Sequence, residues 1–128
     1  MNLLIEIEIV FDFLIIRRYV MTMNYVNLTP HAINLNDGTS YPPSGTVVRV
    51  SSSYSDIVDG LATKVYGDIV GLPDPVANTR YIVSGLILDA VKGMGRFDVV
   101  APATDHQDTV RNDKGHIVSV PCFVVNKI

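Results

Sequence analysis

The chain holds one cysteine, Cys122, in 128 residues. That excludes an intrachain disulfide and a cysteine-based zinc cluster. Small secreted domains usually carry covalent staples, so the chain reads as intracellular. Glutamate is almost missing, Glu6 and Glu8 being the only two. Positive charge is not in excess either, and the net charge of −3 gives no electrostatic footprint for duplex nucleic acid. A few local arginines can still grip a small anion whatever the net charge. No uninterrupted apolar run approaches the roughly 20 residues of a membrane-spanning helix. The sequence also has no Walker loop, no Gly-x-Gly-x-x-Gly and no Gly-x-Ser-x-Gly.

What is there is enough for one domain with its own core: 48% of residues are hydrophobic, at the top of the ordinary globular range. Residues 1–22 differ from the rest. Leu3 to Ile16 is very apolar, and Ile5, Ile7 and Ile9 alternate with Glu6 and Glu8 as in a half-buried strand. There is no basic start and no small-residue cleavage site of a signal peptide. Both glutamates fall here, and Met21 and Met23 are both available as starts. The segment is either an upstream in-frame extension or an extra strand, and residues 23–128 are expected to form a single β-rich domain.

From Tyr25 the pattern is short strands and turns. Tyr25 to Leu28 and Ala32 to Leu35 are extended and separated by Pro30, which lacks a donor and places the strand at an edge or a bulge. Asn36-Asp37-Gly38 signals a hairpin, and Pro42-Pro43-Ser44-Gly45 a second turn. Further strands are expected at Thr46–Ser51, Ala62–Tyr66, Arg80–Val83, Phe97–Val100, Thr109–Arg111, His116–Val120 and Cys122–Val125. Polar loop is expected at 51–60 and Gly/Pro-punctuated loop at 67–75. One helix, Gly85 to Lys92, is capped by Ser84, shows Leu86, Ile87, Ala90 and Val91 on one face, and stops at Gly93 and Gly95. The fold class is mainly β (α+β): a small antiparallel structure of six to eight short strands with one short helix.

Candidate site residues follow from chemistry. In Asn27-Leu28-Thr29-Pro30-His31 the polar groups either satisfy a bent backbone or are aimed into a pocket by the rigid proline. Arg49, Arg80, Arg96 and Arg111 border strand or loop ends, and Tyr25, Tyr66 or Tyr81 offers an aromatic face. Guanidinium forks grip phosphate and aromatic faces stack on bases, so convergence of these groups makes a site for a phosphorylated, base-bearing ligand. Asp105-His106-Gln107-Asp108 lacks the convergent ligands of a metal site. Ser84, His31 and Asp98 have no nucleophile elbow to make them a triad. No catalytic residue, metal or cofactor is therefore assigned.

The segments NLTPHAINL (27–35), YPPSGTVVRVS (41–51), YGDIVGLPDP (66–75), TRYIVSGLILDAVKG (79–93), GRFDVVAP (95–102) and VRNDKGHIVSV (110–120) resemble a family of small phage and prophage proteins with an NLTPH motif. The resemblance spans about residues 24 to 120 and leaves the first 22 outside. That family is mostly of unassigned function. Size and genome context draw an analogy with phage anti-defence proteins, such as those directed against Thoeris, which sequester cyclic ADP-ribose isomers. High apolar content and Pro-broken strand edges that need cover imply a homo-oligomer, and the anti-defence analogy implies a small nucleotide-like ligand in the cytoplasm of an infected bacterial host, with no duplex nucleic acid or membrane partner. The expected ligand-binding residues are Asn27, Thr29, His31, Arg49, Tyr66, Arg80, Tyr81, Arg96 and Arg111. The competing readings are a small hydrolase or cyclase acting on such a ligand, with His31 or His106 as acid or base, and a minor virion or host-takeover interaction protein.

Overall fold

The computed structural model describes residues 22–127. The expectation for residues 1–22 therefore lies, apart from Thr22, outside the described residues. The fold is mainly β with one short helix, as the sequence pattern predicts. Ten strands are described, more than the six to eight expected. Four of them, β1 (Asn24–Asn27), β6 (Thr79–Ile82), β7 (Val99–Pro102) and β10 (Phe123–Val125), form the central sheet in the order β1-β6-β7-β10. The other six make three two-stranded ribbons: β2 (Ile33–Asn34) with β3 (Ser40–Tyr41), β4 (Arg49–Tyr54) with β5 (Lys64–Val70), and β8 (Val110–Arg111) with β9 (Ile117–Ser119).

All three ribbons and the β7–β10 pair are antiparallel. The middle of the sheet is parallel: β1 pairs with β6, Tyr25 opposite Arg80, and β6 with β7, Tyr81 opposite Val99. Parallel neighbours need a crossover, and the helix α1 (Gly85–Ala90) supplies one between β6 and β7. Ser84 caps it by accepting the Ile87 N–H at 3.4 Å. The buried face of α1 is Ile87 and Leu88, continued by Val91. Leu86, expected on that face, is 47% exposed. On a helix of about 3.6 residues per turn Val91 lies between Ile87 and Leu88 in angle, whereas Leu86 is rotated away on the far side of Ile87.

The core sits between α1 and one face of the sheet, where Tyr81, Val83, Val99 and Ala101 meet Leu28, Val48, Ile87, Leu88 and Val91. Val50 and Ile69 at the base of the β4–β5 ribbon pack against it. Two loop expectations are corrected in this ribbon. Residues 51–54 continue β4, which starts at Arg49 rather than Thr46, and 67–70 continue β5. Gly67 looked like loop punctuation because strands disfavour glycine. In place it crosses Ser51 at an irregularity in the ladder, and a Cβ there would collide with the Ser51 hydroxyl. Glycine here marks a bulge and a close approach of chains rather than a strand end.

Candidate functional site

Pro30 bends the chain immediately after β1, and the polar residues around it close the bend. Asn27 is 2% exposed and fully engaged. Its Nδ2 donates to the carbonyls of His31 at 2.8 Å and Tyr41 at 2.9 Å. Its Oδ1 accepts from the Thr29 N–H at 2.9 Å and the Thr29 hydroxyl at 2.7 Å. Thr29 is buried as well. Asn27 and Thr29 thus hold backbone, and neither presents a free polar atom to a ligand. Their effect on the site is indirect: the bond to the Tyr41 carbonyl fastens β3 beside β1.

That fastening places the Tyr41 ring 5.1 Å from the Tyr25 ring. Phe123 of β10 stacks on Tyr25 at 5.4 Å with 22° between planes, and lies 5.8 Å from Tyr41. Arg80, paired with Tyr25 across β1 and β6, donates from Nη1 to the Tyr25 hydroxyl at 2.8 Å. Its Nε and Nη2 carry no hydrogen bond to the described residues. Tyr25, Arg80, Val100, Phe123 and Val125 share the sheet face opposite α1, because residues two apart on a strand, and residues opposite each other across strands, point the same way. They line an open groove of about 380 Å³, completed by Leu35, Phe97, Pro121 and Cys122. Burial, then the neighbouring Tyr25 phenol and the Asp37 carboxylate, push the Tyr41 phenol above its usual value. Tyr41 is therefore a neutral hydroxyl at physiological pH.

The nine sequence-predicted residues do not converge. Arg80 alone stands in this groove. Tyr81 is a core residue whose hydroxyl donates to the Asp74 carbonyl at 3.3 Å. Arg96 forks onto Asp98 with two bonds of 2.9 Å and donates to the Pro73 carbonyl at 2.8 Å. The Arg96 hydrogen bonds hold the Asp98 carboxyl below its usual range, and Asp98 raises Arg96 in return. Arg111 donates to the carbonyls of Gly115 and Thr104 at 2.8 and 3.1 Å and so braces the β8–β9 turn. Arg49 is exposed on β4 opposite Val70. Tyr66 sits on the β4–β5 ribbon with its hydroxyl 3.5 Å from Asp89 and Lys64 over its ring.

His31 is exposed, and it lines a second cleft of about 290 Å³ with Ile33, Pro102, Thr104, Ile117 and Val118. It is distinct from the Arg80 groove in its lining. His106 lies in the exposed 105–108 loop, where its Nδ1 accepts the Asp108 N–H at 3.0 Å. Among the described residues no group of three His, Cys, Asp or Glu stands close enough to hold a metal ion.

Tyr41, Phe97 and Phe123 were missed by sequence reasoning. Each comes from a segment remote from Arg80, and only strand order brings them together. The alternation of Phe123 and Val125 was visible, but not which strand they would face. Comparisons with protein-family models, curated proteins and solved structures give no match.

Proposed function

We propose that this chain is a phage-encoded binding protein that sequesters a small nucleotide-derived immune signal in the Arg80 groove without turning it over. The observation that carries the reading is Arg80, whose Nε and Nη2 are unbonded among the described residues, beside the Tyr25 and Phe123 rings in one open groove, with Tyr41 packed against both rings. A guanidinium with free N–H groups suits a phosphate oxygen, and an aromatic and aliphatic wall suits a base. The groove's volume lies within the range of small-molecule sites. The reading moves the ligand from the Asn27-Thr29-His31 bend to the sheet face that the bend organises. It sets the protein in the cytoplasm of an infected bacterium, where such signals are made.

The test is incubation with a panel of cyclic nucleotides and cyclic ADP-ribose isomers, followed by gel filtration and heat denaturation. Co-elution and recovery of the intact ligand support sequestration. Recovery of a product points to the hydrolase or cyclase alternative. Retention of no member of the panel sinks the nucleotide reading and leaves an interaction protein.

A further inference from the structure

The two edges of the central sheet are managed differently. At the β1 edge the Asn27 carbonyl and the Leu28 carbonyl just beyond the strand accept from Ser44 N–H at 2.9 Å and Val48 N–H at 3.1 Å, so the C-terminal end of that edge is covered. At the β10 edge no described strand follows. Natural edges are usually blunted by charge, proline or a bulge. Phe123-Val124-Val125 has none of these, the nearest proline and lysine being Pro121 and Lys127. Val124 is 43% and Val125 50% exposed.

The ladder decides which backbone groups face outward. The Cys122 carbonyl accepts from Ala103 N–H at 3.1 Å, which makes Cys122–Ala103 a hydrogen-bonded pair. Antiparallel ladders alternate bonded and non-bonded pairs. With Phe123 opposite Pro102, Val124 opposite Ala101 and Val125 opposite Val100, the next bonded pair is Val124–Ala101. Pro102, which has no N–H, falls in a non-bonded pair, as it must. The N–H and C=O of Phe123 and of Val125 therefore point away from β7, to the edge that no described strand covers.

Those four groups are self-complementary. We infer that two copies of this chain pair antiparallel through their β10 edges, across a two-fold axis at Val124. Phe123 of one copy then exchanges both backbone bonds with Val125 of the other, and the reverse, giving four hydrogen bonds. Val124 meets its own equivalent in the close, non-bonded position. Phe123 and Val125 also line the Arg80 groove, which runs out at this edge. Pairing joins the two grooves on one continuous sheet face, each walled by side chains of both copies. The pairing itself does not depend on the nucleotide reading, because it rests on backbone polarity alone.

The experiment is light scattering on the full chain without ligand, at high micromolar concentration. The wild type is expected to have the mass of two 14.0 kDa chains. Val124→Lys sets two like charges face to face and should weaken the dimer by about tenfold or more. Val125→Pro removes an outward N–H that takes no part in the internal ladder, and should give a monomer with an unchanged circular dichroism spectrum. In this register the two Cys122 Cα atoms lie about 14 Å apart, from four residues of rise and one strand spacing. A bis-maleimide of that span should join wild-type copies, a result independent of how either variant folds. A wild-type monomer, a dimer indifferent to both substitutions, or no cross-linked pair overturns the inference.

Discussion

Asn27→Ala is the substitution on which the structural reasoning is most exposed. The side chain is 2% exposed and makes four hydrogen bonds. Alanine removes all four and strands the buried Thr29 N–H and the Tyr41 carbonyl, while the Thr29 hydroxyl and the His31 carbonyl keep their mutual bond at 3.0 Å. A net hydrogen bond contributes about 1 kcal/mol, and an orphaned buried group costs about 1–3. The His31 and Tyr41 carbonyls are only part-buried, so water recovers some of the loss. The expected cost is about 3 kcal/mol. At about 4 °C per kcal/mol for a chain this size, the melting temperature should fall by about 12 °C. His31→Ala is the matched control, because the bend uses His31 only through its backbone N–H and C=O. It should change stability by less than about 0.5 kcal/mol. Differential scanning calorimetry on both proteins reads the difference. A fall of under about 3 °C for Asn27→Ala, or an equal fall for His31→Ala, would refute the assignment of the NLTPH bend as a backbone clamp.

Two further outcomes are expected. Arg80→Ala should weaken nucleotide binding by about one to two decades, roughly 1.5–3 kcal/mol, while Arg111→Ala leaves it unchanged; titration calorimetry with any retained ligand decides, and equal losses would dissolve the groove assignment. Asp98 has its carboxyl pKa lowered by the Arg96 hydrogen bonds, so it contributes stability above its ordinary value of 3.8 that is lost as pH falls through the lower folded value. Asp98→Asn should therefore cost about 2 kcal/mol at pH 7 and flatten the loss of stability below pH 4, whereas a parallel acid limb in urea melts would show that the pair contributes nothing.

Local chemistry determined the local structure. Asn36-Asp37-Gly38 and Asn112-Asp113-Lys114-Gly115 specified their turns, since Gly38 and Gly115 take positive φ of 96° and 81° that other residues resist. Ser84 started the helix for an equally local reason, while its end came at Ala90 with Val91 as the cap, two residues short of the Lys92 expected before Gly93. The single Pro30 announced a bend. The sequence by itself also showed that Asn27, Thr29 and His31 were either clamp or pocket, since hydrogen-bonding groups in a bent strand must find partners. It could not say which partners. That choice was made by β3, fourteen residues on, whose Tyr41 carbonyl took the Asn27 amide. The arginines were equally undecided. Each was a free guanidinium on paper, and Arg96 and Arg111 became braces because Asp98, Pro73, Thr104 and Gly115 arrived beside them. Arg80 was left open because its neighbours across the sheet are Tyr25 and aliphatic residues. Strand order is a long-range property: the parallel β1–β6–β7 pairing and the antiparallel return of β10 depend on which buried faces fit, and no window of sequence contains both partners. The groove is the product of that order, so its residues were legible one by one and its existence was not.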